Sequence, residues 1–222
     1  RGRAALIDLA GGTFGHAKGH AAAGWRRGNF AASLEGLHLR ADGFKQFSDG
    51  TPAGGFDKNE WLLKTEWAQS AKLGVSQSLR LRLGFANERS GSTYLGLQRD
   101  DFEASPYRRY DASKKDQMSW DHRSARLTHR VRFSASNRID TVIYRRQFSR
   151  DWVKVAHFRD GPSLRALMEE TDTPDAAAYL ALLRGETDGS GSAQELLLGS
   201  NDRAHLSQGI QSEVHWRWRL RE

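Results

Sequence analysis

Between Ser78 and Phe85 the chain reads Ser-Leu-Arg-Leu-Arg-Leu-Gly-Phe. Successive side chains of a strand point to opposite faces. Leu79, Leu81, Leu83 and Phe85 therefore share one surface, and Arg80 and Arg82 the other. The pattern recurs in both directions along the chain. Trp61, Leu63, Thr65 and Trp67 alternate with Leu62, Lys64, Glu66 and Ala68. Leu206, Ile210, Val214, Trp216, Trp218 and Leu220 alternate with Glu213, His215, Arg217 and Arg219. It predicts eight strands, at about Arg3 to Phe14, Gly19 to Arg27, Phe30 to Phe44, Glu60 to Gln69, Val75 to Glu88, Gln117 to Phe133, Arg138 to Trp152 and Arg203 to Leu220. Soluble strands run about five or six residues, whereas a bilayer-spanning strand needs about nine to eleven, the length several of these reach.

The connections separate two architectures. Arg27-Gly28-Asn29, residues 70–74 and Ser134-Ala135-Ser136-Asn137 read as tight turns, with Gly and Asn supplying the backbone freedom such turns need. The long gaps, Lys45 to Asn59, Arg89 to Asp116 and Val153 to Asp202, alternate strictly with them. Short turns at one end and long loops at the other mark an outer-membrane barrel. A soluble sandwich rarely gathers every long loop at one end. The expected fold is all-β: an antiparallel transmembrane β-barrel segment of about eight strands, with long external loops carrying short helices. The strands starting near Val75 and Arg138 then run outward, and those starting near Gln117 and Arg203 run inward. In the longest loop, Thr173 as N-cap, Pro174 at the first helical position and Gly185 past the end bound one helix, and Ser163 to Glu169 forms a shorter one. Gly189-Ser190-Gly191-Ser192 reads as a connector.

Composition constrains less. A mean hydropathy of −0.70 is compatible with a barrel, whose lumen and loops are polar. No stretch approaches the roughly 18 apolar residues of a transmembrane helix. The start lacks an initiator Met and a signal-peptide pattern and reads as cut. The chain has no cysteine, which removes disulfide scaffolds and thiolate metal sites. Thirty-four Lys and Arg against 27 Asp and Glu leave a net charge of +7. The bases are spread over many strands with no groove-reading motif, which argues against nucleic acid and for a cavity that attracts anions.

No catalytic pattern is present: no Gly-x-Ser-x-Gly elbow, no His-Glu-x-x-His pair and no P-loop, so the chain is not expected to be an enzyme or to carry a cofactor. Gly11-Gly12-Thr13-Phe14-Gly15 follows a strand without a helix behind it and reads as a strand-end turn. Asp100, Asp101 and Glu103 cluster without EF-hand spacing, and the eight histidines, His16 and His20 included, do not fall at metal-ligand spacing, so no metal site is expected. Trp61, Trp67, Trp216, Trp218, Tyr144, Phe148 and Trp152 are expected as interface girdles and lipid contacts. Two residues then break the apolar faces: Arg146 between Tyr144 and Phe148, and His129 between Leu127 and Val131.

Three stretches carry a resemblance. They are Thr93-Tyr94-Leu95-Gly96-Leu97 with Asp101-Phe102 and Pro106-Tyr107-Arg108-Arg109-Tyr110; Tyr144 to Trp152; and Ala181-Leu182-Leu183-Arg184-Gly185 with Ser207-Gln208-Gly209-Ile210-Gln211. Together they resemble the barrel of TonB-dependent outer-membrane receptors, particularly the ferric-dicitrate type, over nearly the whole chain. The resemblance implies a barrel of about 22 strands occluded by a plug, importing a ferric chelate with energy from the TonB complex. Residues 1–222 hold no plug or TonB box, and Arg221-Glu222 is not the terminal aromatic of a finished barrel. The chain therefore reads as an internal segment of such a barrel, with the C-terminal strands also missing.

The expected partners are an anionic ferric chelate, outer-membrane lipid and lipopolysaccharide, and the TonB complex through the plug. A passive porin-like channel and a soluble β-sandwich adhesion or interaction module are the alternatives. Arginines at the outer end suit an anionic chelate. Strand direction selects Arg145 and Gln147, expected to face the lumen, Arg123 at the start of a descending strand, and Arg108, Arg109 and Tyr110 in the loop. Arg126, Arg130, Arg217 and Arg219 are expected lower, paired with acidic groups of the wall or plug.

Overall fold

The computed structural model describes residues 2–72, 74–169 and 174–218. In chain order they form β1 (Gly2–Gly11), β2 (Ala17–Arg27), β3 (Phe30–Ala41), the short hairpin β4 (Lys45–Gln46) and β5 (Pro52–Ala53), β6 (Phe56–Lys72) and β7 (Val75–Ser90). Helix α1 (Arg99–Ala104) and a turn of 3-10 helix at Asp111–Lys115 lead to β8 (Gln117–Arg132) and β9 (Arg138–Phe158). Helices α2 (Leu164–Glu169) and α3 (Pro174–Arg184) then precede β10 (Leu196–Ser200) and β11 (Arg203–His215).

Apart from the β4–β5 hairpin, the strands form one large antiparallel sheet in the order β1-β2-β3-β6-β7-β8-β9. The far side of β9 is shared: β11 pairs with Arg138 to Arg150 and β10 with Val153 to Phe158. All eight expected strands are present. Four of them run longer than expected, most of all β6, at 17 residues, and β9, at 21; β2 and β7 gain two residues each. The last strand stops at His215, so Trp216 and Trp218 leave the ladder, and Leu220 lies outside the described residues, as does Thr173. The three long connections, 42–55, 91–116 and 159–195, lie at one end as expected, joined there by the short connection 12–16, and 28–29, 73–74 and 133–137 lie at the other. Among the described residues the sheet is open and does not close into a ring, since β1 and the β10/β11 side are each paired on one side only.

Register fixes the faces. Leu83 stands opposite Leu63 and Ala125, and Leu81 opposite Thr65 and Leu127, which in turn faces Ile143. This face carries most of the large apolar side chains exposed on the sheet, among them Ile7, Leu9, Trp25, Leu34, Trp61, Leu83, Ile143 and Ile210. The other face carries Glu35, Lys64, Glu66, Arg80, Arg82, Arg126 and Asp140. Among the described residues the other sheet is the two-stranded β4–β5 hairpin, too small to cover the apolar face as a sandwich's second sheet would.

Hydrogen-bonded polar side chains bracket the apolar run on the central strands. Toward the long loops His38 Nδ1 and Asn59 Oδ1 are 2.9 Å apart, and Asn59 donates to Asn87 at 3.3 Å. Toward the short turns Gln77 donates to Gln69 at 3.1 Å, and His129 Nε2 lies 3.4 Å from Gln77. His129 thus breaks the apolar face at its lower margin. From Asn59 to Gln69 is ten steps of about 3.4 Å, so a strand tilted by about 40° spans ~26 Å of height, close to the apolar band of ~25 Å on an outer-membrane barrel.

The apolar run also drifts across the sheet. Ile7 and Leu9 of β1 stand in register with Phe85 and Asn87 of β7, whereas Ile139 and Ile143 of β9 stand in register with Gln77 and Leu81. That is a stagger of about one residue per strand. With a rise of ~3.3 Å over a strand spacing of ~4.8 Å it corresponds to a tilt near 35°, the lower end of the range for barrels. Gly36 serves the apolar face by letting Trp61 lie against it, since a Cβ there would come within 2.7 Å of the indole.

The packed core lies elsewhere. Tyr110, Phe158, Leu167, Leu180 and Leu183 form it, all from the long loops or the adjoining end of β9. Helix α3 closes as its sequence predicts. Gly185 adopts φ +77°, Gly185 N donates to Leu182 O at 3.1 Å, and Glu186 N donates to Ala181 O at 2.9 Å. The long loops are therefore a folded cap on one end of the sheet.

Candidate functional site

The cap takes up three of the expected ligand residues. Tyr110 is only 1% exposed, and its hydroxyl donates to Asp101 Oδ2 at 2.5 Å while accepting from Gln98 N at 3.0 Å. Arg184 from α3 donates to the same Asp101 oxygen at 2.9 Å, tying α1, Tyr110 and α3 together. Arg109 donates to Gly91 O at 2.6 Å, and Arg108 pairs with Glu186 at 3.8 Å while lying over the Tyr110 ring. Loop 42–55 joins them: Gln46 N donates to Tyr107 O at 2.9 Å and Arg109 N to Gln46 O at 2.8 Å. Asp101, seen in the sequence only as part of a carboxylate cluster, is the centre of this network.

Burial alone would push the Asp101 carboxyl up, but the bonds from Tyr110 and Arg184 outweigh it and hold the pKa below the ordinary value. The same burial and the Asp101 charge push the Tyr110 phenol up to about 12. A carboxyl with a depressed folded pKa adds stability above its unfolded pKa and loses it as pH falls through the folded value. Acidification below about pH 4 is therefore expected to loosen α1 and α3. Asp101→Asn should flatten that acid limb in hydrogen exchange of the α3 amides, and an unchanged limb would rule this coupling out.

The other three residues sit on the sheet, and register corrects their orientation. Arg123 stands opposite Phe85 and Gln147, and Arg145 opposite Ala125, which faces Leu83. All three belong to the apolar face, at its margin toward the cap, and not to the face of Arg82. Arg146, Tyr144 and Phe148 correspondingly belong to the polar face. Tyr144 packs against Gly209 there, and Trp152 is buried under the cap, its indole N–H donating to Ser92 O at 2.9 Å. These aromatic residues are not lipid contacts on the apolar face. The expected group thus divides into a cap cluster and a rim cluster that share no site.

The polar face holds a better anion site. A hollow of about 600 Å³ over β3 and β6 to β8 is lined by Lys64, Arg80, Arg82, Arg126 and Arg130, with Glu66 the one carboxylate in its lining. Arg80 donates to Glu66 at 2.9 Å, Arg130 pairs with Asp140, and Lys64 approaches Glu35 at 3.9 Å. Arg82 and Arg126 stand directly opposite one another, both exposed and, among the described residues, without a carboxylate partner. Like charges directly opposed across strands are destabilising, so this pair favours an anion between its members. Arg146 is the diagonal neighbour of Arg126, and the directly opposed Arg150 and Arg203 continue the positive track toward the cap. Of the other low arginines, Arg217 N donates to Asn137 at 2.8 Å and Arg219 lies outside the described residues.

Asp140, Glu213 and His215 lie within 4.8 Å of one another, but Asp140 is already held by Arg130 and Arg138.

Fold and site together define a mostly antiparallel β protein whose one large sheet has an apolar face on one side and arginines on the other. Comparison with protein-family models, curated proteins and solved structures gives no match.

Proposed function

We propose that the chain is a sector of an outer-membrane β-barrel wall of the TonB-dependent receptor type, taking part in energy-dependent uptake of an anionic ferric chelate. The observation that carries this reading is the exposed apolar face. It is bracketed by polar side chains, has the height of a bilayer's hydrocarbon layer, and drifts by the stagger of tilted barrel strands. So large an apolar surface requires a cover, and lipid fits its dimensions. The arginine face then lines the lumen and the cap lies outside. The free edges of β1 and β10/β11 would be paired by further strands of the wall.

In this reading the chelate follows Arg82, Arg126, Arg146, Arg150 and Arg203, not the residues the sequence selects. Charge-assisted hydrogen bonds from guanidinium groups supply the affinity. Arg82→Gln combined with Arg126→Gln, in the membrane-embedded protein titrated with ferric dicitrate, is expected to weaken binding at least about tenfold with the barrel intact. Unchanged affinity would remove these residues from the path. Steady ion conductance in planar bilayers without chelate affinity would replace uptake by the passive-channel reading.

A further inference from the structure

The apolar face ends toward the cap in a group that an oily surface does not explain. Arg123 and Gln147 are directly opposed across β8 and β9, and Arg145 is the diagonal neighbour of Arg123, about 7–8 Å away by sheet geometry. Gln208 of β11 stands opposite Arg145. Below this group on the same face lie Leu127 and Ile143, and beside it Leu83 and Phe85. Arg145 has no carboxylate partner among the described residues. Arg123 has only Asp121, 3.5 Å away, and the side chains of that pair are 68% and 35% exposed.

We propose that Arg123, Arg145, Gln147 and Gln208 bind the phosphate headgroup of an anionic lipid whose acyl chains lie on the apolar face below. The inference rests on the wall reading above and assigns a site to the outer-leaflet lipid expected as a partner. Two charges side by side repel unless an anion joins them, and two amides beside them supply neutral donors to the same oxygens. Because the apolar run is lower on β8 and β9 than on β7, this group lies in the outer half of the band, above the level of Leu83. From there the long arginine side chains reach headgroup depth. Charge and apolar area are both matched by one occupant, a phosphate-bearing lipid of the outer leaflet. A free anion would leave the apolar part of the surface uncovered.

The test uses the chain in detergent micelles titrated with bis-phosphorylated lipid A, its dephosphorylated form and inorganic phosphate. Arg123→Gln with Arg145→Gln is expected to weaken lipid A binding about thirtyfold, at about five- to sixfold per arginine. Dephosphorylated lipid should bind the unaltered chain with that same weakened affinity, and inorganic phosphate should not compete at millimolar concentration. Gln147→Glu keeps both arginines and adds a repelling charge, so it should also weaken binding, whereas Arg82→Gln with Arg126→Gln on the opposite face should not. Equal affinity of the Arg123/Arg145 variant and the unaltered chain overturns the proposal, as does equal binding of dephosphorylated lipid or full competition by phosphate. A brominated-lipid quenching label at Leu83 separates the two levels. Quenching with unaltered lipid A affinity removes only this site, and no quenching removes the wall reading with it.

Discussion

Leu183→Ala is expected to unfold the cap while leaving the sheet in place. Leu183 is fully buried between Tyr110, Phe158, Leu167 and Leu180, and removing a leucine side chain from such a site costs about 2–5 kcal/mol. Few other buried apolar residues support the cap, so a loss of that size is a large part of its stability. The sheet shares little of this core, because its ladders run through β2 to β8 by backbone pairing. Hydrogen exchange should show the amides of α2 and α3 losing protection while those of β7 and β8 keep theirs. Loss of protection in the sheet to the same extent would mean that cap and sheet fold as one unit.

The second large effect concerns the apolar face. Leu83 stands near the middle of the run between Gln77 and Asn87, so Leu83→Arg puts a charge close to mid-bilayer depth. On a lipid-facing strand position that costs about 2–4 kcal/mol. Arg82→Leu, one residue away on the other face, should change stability far less, since Arg82 has no ion pair among the described residues to lose. Urea titration of the protein in phosphatidylcholine vesicles measures both. Similar small effects at the two positions would show that neither face is in contact with lipid.

Period-two alternation located all eight strands, because each long strand keeps one face apolar over most of its length. The turns at Gly28, Gly74 and 133–137 were legible from glycine, asparagine and serine, as was the Gly185 end of α3. The faces of β9 were not legible from its aromatic residues. Tyr144, Phe148 and Trp152 have the same parity and look like a lipid-facing row, yet Tyr144 and Phe148 lie on the polar face and Trp152 is buried under the cap. The usable signal was the five-residue turn at 133–137. It pairs odd-numbered residues of β8 with odd-numbered residues of β9 and so carries the face of Leu127 to Ile143. Following it would have placed Arg123, Arg145 and Gln147 correctly.

The cap was harder to read because its contacts join segments far apart in sequence. Asp101, Tyr110 and Arg184 meet only through the packing of two loops, and nothing local marks a carboxylate that will be buried. The opposed arginines of β7 and β8 were no easier. The β6–β7 turn sets Arg82 opposite Lys64, but Arg82 meets Arg126 only in the β7–β8 register, which no tight turn fixes because the long connection 91–116 lies between these strands.

The free edge of β1 determines how the isolated chain will behave. It exposes a row of backbone donors and acceptors along Gly2–Gly11, where Arg3 and Asp8 are the only charged residues and no proline or bulge blunts the ladder. The β11 edge offers a second such row across the sheet. Two copies can therefore join edge to edge, and each addition leaves fresh edges for the next. Purified without a partner for these edges, the chain will self-associate into ribbons as its concentration rises, and samples for the measurements above must be kept dilute relative to detergent or lipid.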